Sequence, residues 1–292
     1  MTKIKNHNQI YFLMSLAMIS WAIAWTNAKI VGEYLSYYNL IFLRFFFGFL
    51  SLIPFVIIKK ASLPSIKQFK YLILPAILFF IYNVAFFKGA HLGLAGKGAI
   101  IVTTLNPLIT VLLVSILKKH ITKNEIIGMV FGFLGGLIIM NVFNDGLGII
   151  ISSKNIYFII CAITWGVMTI SINYGQKIIN PYMFICLCYL ITALLSIPFA
   201  SFEEIIQSDF DLRFYINFFL VSIGAMSFGT SVYIYSTSIL GPSKASVFIF
   251  SVPFLAMLTA NIVFKEIITL NIVTGGLLSL AAIYIVNKKQ SI

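Results

Sequence analysis

Charge is scarce in this chain, and acid scarcer still. The 292 residues include 8 Asp and Glu against 20 Lys and Arg, and charged residues make up 10% of the total, under half the share of an ordinary soluble domain. No Asp or Glu falls within the core of a long apolar run, so a carboxylate relay for proton coupling has no place to sit. Cysteine is equally sparse. Cys161, Cys186 and Cys188 all lie inside apolar runs, which argues for packing rather than a disulfide framework, and the His and carboxylate company of a metal site is missing. His7, His91 and His120 stand near a terminus or a turn, and no HExxH, Asp-rich diphosphate or Walker A lysine motif occurs. An intramembrane enzyme is therefore poorly supported, and neither a cofactor nor a metal is expected.

What the chain does have is apolar surface, at 60% hydrophobic residues. A water-soluble globule cannot hide that much. Uncharged stretches approach or exceed the ~20 residues a helix needs to cross a ~30 Å hydrocarbon core. They fall at 10–30, 37–58, 70–90, 96–117, 123–143, 155–175, 181–200, 214–238, 243–264 and 267–287. The expected fold is an all-α membrane protein of ten transmembrane helices, with the lipid bilayer as its solvent. Connections are short except the polar stretch from Ser201 to Arg213, so no soluble domain is expected.

The net charge of +12 does not point to nucleic acid, because the Lys residues sit in short turns and form no aromatic-interleaved patch. They mark topology instead. With the N-terminus inside, Lys3, Lys5, Lys59, Lys60, Lys67, Lys70, Lys118, Lys119, Lys123, Lys177, Lys244, Lys288 and Lys289 are cytoplasmic, as retention of cations requires. Glu33, Asp145, Glu203, Glu204, Asp209, Asp211 and Glu266 then lie on or border the outer side, with Lys29, Lys88, Lys97, Lys154, Arg213 and Lys265. Both termini are expected to be cytoplasmic.

A shift of 144 to 146 residues superposes several features. Ile19-Ser20-Trp21 meets Ile163-Thr164-Trp165, Ile53-Pro54-Phe55 meets Ile197-Pro198-Phe199, Pro107 meets Pro253, and Lys119 meets Lys265. The chain divides into two halves, 1–146 and 147–292, of five helices each. An odd number of crossings inverts the second half, and inverted repeats are a transporter signature. Lys3, Lys5 and the Ala22-Ile23-Ala24 step look like a cleavable signal, but Trp21 belongs to the repeat, so the first helix is expected to be retained.

At these residues the chain resembles the drug/metabolite transporter superfamily, in its ten-helix branch with two EamA domains. The first half carries the likeness in Ser20-Trp21-Ala22, Leu43-Arg44-Phe45, Asn106-Pro107, the Lys119 turn and Gly128 to Gly136. In the second half Thr164-Trp165-Gly166, Val252-Pro253-Phe254, Lys265-Glu266 and Gly275-Gly276 repeat it. The resemblance implies a central cavity between the halves, alternating access and export of amino acids or other small metabolites. The bacterial inner membrane is the expected location. One departure stands out: Arg44 has Cys188 as its repeat partner, so its role is not duplicated.

Trp21, Trp25 and Lys29 lie four apart on one helix face, and their repeat partners are Trp165, Thr169 and Asn173. Such a stripe suits a cavity wall. The alternatives are packing for the Trp pair and snorkelling of Lys29 to the surface. Arg44 falls roughly 10 Å into the membrane at 1.5 Å per residue. It can clamp carbonyls of a neighbouring helix or capture a carboxylate. Pro107 and Pro253 stand at matched depths and are expected to break their helices, beside Thr103, Asn106 and Thr110. Tyr82 and Asn83 on the third helix, and Thr230, Tyr233 and Thr237 on the eighth, can line a cavity or bond between helices. Gly132, Gly135, Gly136, Gly275 and Gly276 read as close-packing positions, compatible with a monomer or a homodimer.

The substrate-binding set expected from sequence is thus Trp21, Trp25, Lys29, Arg44, Tyr82, Asn83, Asn106, Trp165, Thr169 and Tyr233. The expected activity is secondary transport, by export or exchange, of an amino acid or related carboxylate-bearing solute. Efflux of lipophilic cations calls for a buried acid that is missing. A non-transporting scaffold or membrane enzyme is the alternative from another class.

Overall fold

The computed structural model describes residues 7–92, 95–118, 121–146, 155–265 and 267–288. Lys3, Lys5, Lys119, His120, Lys154, Glu266 and Lys289, and the start of the expected second half at 147–154, lie outside them.

Apolar runs without internal acids leave the backbone one way to satisfy its own polar groups in lipid, the helix. The principal elements are α1 (His7–Val31), α2 (Tyr37–Ile58), α3 (Lys70–Leu92), α4 (Ala95–Lys118), α5 (Lys123–Ile139), α6 (Ile156–Gly175), α7 (Pro181–Ser196), α8 (Leu212–Leu240), α9 (242–264) and α10 (Leu270–Asn287). Among the described residues, nine helices are long and apolar enough to cross a membrane. The exception is α5, with 17 residues, about 25 Å at 1.5 Å per residue. It ends four residues before the expected position, because Asn141 adopts a left-handed conformation (φ 57°). A one-turn helix, Val142–Asp145, follows.

The outward faces confirm which solvent the bundle is built for. Phe12, Phe46, Phe47, Leu112, Ile116, Leu277 and Leu280 are all exposed, an apolar surface that water does not tolerate and lipid does. Inside, the helices pack in matched combinations. Helix α5 lies along α10, and α2 along α7; α3 packs on α6 as α1 packs on α8; α4 packs on α6 as α1 packs on α9; α2 touches α8 as α3 touches α7.

Glycine decides the closest of these approaches. A Cβ on Gly275 would stand 2.5 Å from the Gly135 carbonyl oxygen, and one on Gly135 would stand 2.7 Å from that of Gly275. Gly132 faces Phe250, Gly136 faces Thr104 and Gly128 faces Val286. The glycines of α5 are therefore occupied by contacts within the chain.

Two helices depart from regular geometry, and one expected break does not occur. Helix α4 runs without interruption through Pro107, which corrects the expectation of a break there. Neighbouring helices and hydroxyl side chains make proline tolerable in a membrane helix. Helix α9 does change form, passing through a 3₁₀ segment, Val247–Ser251, before Pro253 enters the first turn of Val252–Phe264. The larger irregularity lies in α8, where Leu220–Thr230 is a π-helix. The polar stretch after α7 also holds structure, a short helix at Phe202–Gln207.

Candidate functional site

Seven helices converge on one internal cavity of about 50 Å³. Its wall is made by Trp21, Ala24 and Trp25 of α1, Arg44 of α2, Tyr82 and Phe86 of α3, and Val102, Thr103 and Asn106 of α4. Trp165 of α6, Ala225, Met226 and Thr230 of α8, and Ile249 of α9 complete it. The space has room for a few waters and is far smaller than the ~300–1,000 Å³ of a typical small-molecule site.

Five of the lining residues, Trp21, Trp25, Tyr82, Phe86 and Trp165, are aromatic. Trp21 meets Trp165 edge to face, with centroids 4.9 Å apart and an interplanar angle of 87°. Tyr82 lies 4.9 Å from Trp165, and Trp25 lies 4.6 Å from Phe86. Such edge and tilted contacts follow the ring quadrupoles and leave faces and edges available to a guest. The Trp21 indole fits because residue 229 is glycine, where a Cβ would come within 2.9 Å of it.

Arg44 is the charged residue of the lining and is 5% exposed. Its Nε donates to the Val221 carbonyl at 3.0 Å and its Nη1 to Asn83 Oδ1 at 2.8 Å. Asn83 is oriented in turn by donating Nδ2 to the Phe79 carbonyl at 2.9 Å. The guanidinium also lies over the rings of Phe86 and Phe87, 5.6 and 5.8 Å from their centroids. Burying a cation costs several kcal/mol unless it is paired. Here carbonyl oxygens and ring faces supply the partners.

Of the residues singled out from sequence, Trp21, Trp25, Arg44, Tyr82, Thr103, Asn106, Trp165 and Thr230 meet at this cavity. Asn83, Thr169 and Tyr233 stand behind its wall. Asn83 holds Arg44, while Thr169 Oγ1 and the Tyr233 hydroxyl share a hydrogen bond of 3.1 Å next to the Trp21 and Trp165 rings. Lys29 does not join them. It is exposed in the last turn of α1, where its amine stays solvated. Phe86, Met226 and Ile249 were not foreseen, being apolar residues in apolar helices with no local mark to set them apart.

At one end of the bundle, polar contacts bridge the α1–α2 turn and the α7–α8 connection. Glu204 accepts from the Ser36 backbone N–H at 2.6 Å and from Asn39 Nδ2 at 2.7 Å, while Asn39 Oδ1 accepts from the Ser201 N–H at 2.7 Å. Tyr34 donates to Asp211 Oδ1 at 2.9 Å, and Arg213 pairs with Glu33 at 3.2 Å. Asp211 also caps α8, accepting from the Phe214 N–H at 2.8 Å. That backbone bond, then the Tyr34 hydroxyl, holds its carboxyl below the usual range.

Comparison with known proteins agrees with this architecture. A solved crystal structure superposes with a TM-score of 0.71 at 14% identity, covering 96% of this chain and 95% of that one, a likeness of fold. An uncharacterized transporter of Archaeoglobus fulgidus is 26% identical over 290 residues, covering 96% of this chain and 99% of that protein. An S-adenosylmethionine uptake transporter of Rickettsia felis is 27% identical over 220 residues, 74% of this chain and 71% of that protein. The uncharacterized transporter YyaM of Bacillus subtilis is 37% identical over 84 residues, 28% of this chain and 27% of that protein. The model of the EamA-like transporter family matches residues 8–141 and again 152–288. The chain is a multi-pass membrane transporter and belongs to the EamA-like transporter family, part of the drug/metabolite transporter superfamily.

Proposed function

We propose that this chain is a secondary transporter of an amino acid or related carboxylate-bearing solute, exporting or exchanging it by alternating access through the central cavity. The observation that carries the reading is the lining itself. Arg44 is its charged member, set among Trp21, Trp25, Tyr82, Phe86 and Trp165, with Thr103, Asn106 and Thr230 as polar neighbours. A buried guanidinium favours a carboxylate, which it can engage through two parallel N–H bonds. Aromatic walls suit the rest of an amino acid. S-adenosylmethionine, named for the Rickettsia relative, is itself an amino-acid derivative with a free carboxylate.

The architecture is read as ten membrane helices in two inverted five-helix halves, 1–146 and 147–292. Two observations support it: the family model matches twice, over 8–141 and 152–288, and helix contacts pair off when α1–α5 are exchanged for α6–α10. The 17 residues of α5 fall at the short end of the range for a crossing. With Lys-bearing turns inside, both termini are cytoplasmic and the membrane is a bacterial inner membrane. The tied end then faces the periplasm, and the contracted cavity waits on release of that latch or of the opposite end.

Counterflow in proteoliposomes with labelled glycine, L-methionine, L-tryptophan and S-adenosylmethionine, with and without a pH gradient, tests the reading. Saturable exchange of a carboxylate-bearing solute that ignores the gradient is expected. Arg44→Ala should abolish it in protein that still elutes as a folded species. Unchanged exchange in that variant would remove Arg44 from the substrate.

A further inference from the structure

The π-helical segment of α8 is held open by side chains from other helices. Within Leu220–Thr230 three carbonyls each receive at least one side-chain donor. Val221 accepts from Arg44 Nε at 3.0 Å. Ala225 accepts from Trp21 Nε1 at 3.1 Å and from Thr230 Oγ1 at 3.1 Å. Met226 accepts from the Tyr189 hydroxyl at 2.8 Å. A π-helix is rare, appears mostly as a single-turn bulge and concentrates at functional sites. Eleven residues of it require support beyond the backbone.

Arg44 and Trp21 also line the cavity, so the groups positioned to meet a solute are the groups that hold α8. Tyr189 serves the same helix from behind the wall. It is fully buried, packs edge to face on Phe45 and Phe79 at 5.4 and 5.6 Å, and fits beside α2 because residue 48 is glycine, where a Cβ would stand 3.0 Å from its ring. Gly48 is one turn after Arg44 on the same helix. Arg44 and Tyr189 therefore grip α8 at Val221 and Met226, five residues apart.

We propose that Tyr189 is a positioning residue for transport and that a solute carboxylate competes with the Val221 carbonyl for Arg44. The proposal rests on the carboxylate reading above. A carboxylate taking the Nε side of the guanidinium removes the donor from Val221. The π segment then loses one of its clamps and moves toward ordinary α geometry. That change rotates Ser231–Leu240, the part of α8 bonded to Asn173 of α6 and to Gln176 just past its end. Occupancy of the cavity is thereby coupled to the contact between α6 and α8, with Tyr189 keeping α8 seated through the change.

Hydrogen–deuterium exchange on the full chain in lipid nanodiscs tests this, with counterflow on the same preparations. Without solute, Arg44→Gln and Tyr189→Phe should each speed exchange of amides 221–231 by about tenfold, the factor for loss of one buried hydrogen bond of ordinary strength. In counterflow, Tyr189→Phe should lower the maximal rate about tenfold and leave the half-saturating concentration unchanged. A merely structural tyrosine would lower the yield of folded protein and leave the rate per folded molecule alone. In wild type, whichever of glycine, L-methionine, L-tryptophan or S-adenosylmethionine is carried should speed exchange of the same amides, and the effect should vanish in Arg44→Gln. Wild-type protection in both variants, or carriage of a solute with no change at 221–231, would overturn the inference and leave the carrier reading standing. If none of the four is carried, the carboxylate reading fails and the competition at Arg44 fails with it.

Discussion

Trp21 and Trp165, 144 positions apart in the chain, meet edge to face with ring centroids 4.9 Å apart in the centre of the bundle. The pair joins α1 to α6 and closes one side of the cavity, with Tyr233 5.2 Å from Trp21 and 5.9 Å from Trp165. Equivalent marks of the two halves of the sequence are thus in direct contact.

A double-mutant cycle on this pair should show coupling. Aromatic pairs of this geometry contribute about 0.5–1.5 kcal/mol beyond area burial. Trp21→Leu and Trp165→Leu each remove one ring of the pair, and Trp21→Leu also loses the Nε1 bond to Ala225. Thermal unfolding in detergent of the two single variants and the double should give a non-additive term in that range, and strict additivity would mean the rings do not support each other.

Close packing of α5 on α10 makes a second prediction. A methyl at Gly275 meets the Gly135 carbonyl oxygen at 2.5 Å, and neither partner is a flexible side-chain end. Gly275→Ala should destabilise the protein by about 1–3 kcal/mol through overpacking. Gly146→Ala serves as a contrast, since a Cβ there meets nothing within 4 Å although φ is +78°. Unfolding midpoints of the two variants should separate steric crowding from backbone strain.

The polar latch predicts asymmetric access. Asn39 is fully buried and joins the Ser201 N–H to Glu204, so Asn39→Ala should cost about 0.5–1.5 kcal/mol for each bond lost. In a background with Cys161, Cys186 and Cys188 replaced, a Tyr82→Cys reporter at the cavity should react faster with an impermeant thiol reagent added from the side of the α1–α2 turn once Asn39 is removed. No gain in labelling would mean that these contacts do not restrict access from that end.

Protonation should weaken the same end. The Phe214 N–H and the Tyr34 hydroxyl hold the Asp211 carboxyl below its ordinary value, so the folded state binds its proton less readily than the unfolded chain does. The stability this supplies is complete above the unfolded pKa of about 3.9 and is lost as pH falls through the lower folded value. The difference in unfolding midpoint between wild type and Asp211→Asn should therefore persist at pH 7 and pH 5 and shrink in stronger acid. A difference that does not change with pH would assign the effect to shape alone.

Much of the fold was legible because its signal is local. An apolar run long enough to cross a bilayer is a property of consecutive residues, and the runs read from composition appear as helices. Their ends were less legible, as at Asn141, where a single left-handed residue stops α5 early. The cavity was legible in part. Polar and aromatic residues spaced four apart in an otherwise apolar helix mark an inward face, and Trp21, Trp25 and Trp165 reach it. Lys29 continues the same stripe but lies one turn closer to the interface, where hydration outweighs burial. Pro107 misled because proline alone does not say whether neighbours will satisfy the carbonyls it frees.

By itself the sequence determined the solvent, the class of fold and the poverty of buried acid, since each follows from which side chains are present and how far apart they stand. The tertiary structure decided what Arg44 touches, which residues stand behind the cavity wall and where α8 adopts i→i+5 bonding. Those depend on partners up to 204 positions away. The reason is physical: hydrophobic transfer sums over neighbours along the chain, whereas a hydrogen bond at 3.0 Å depends on how separate helices are brought together.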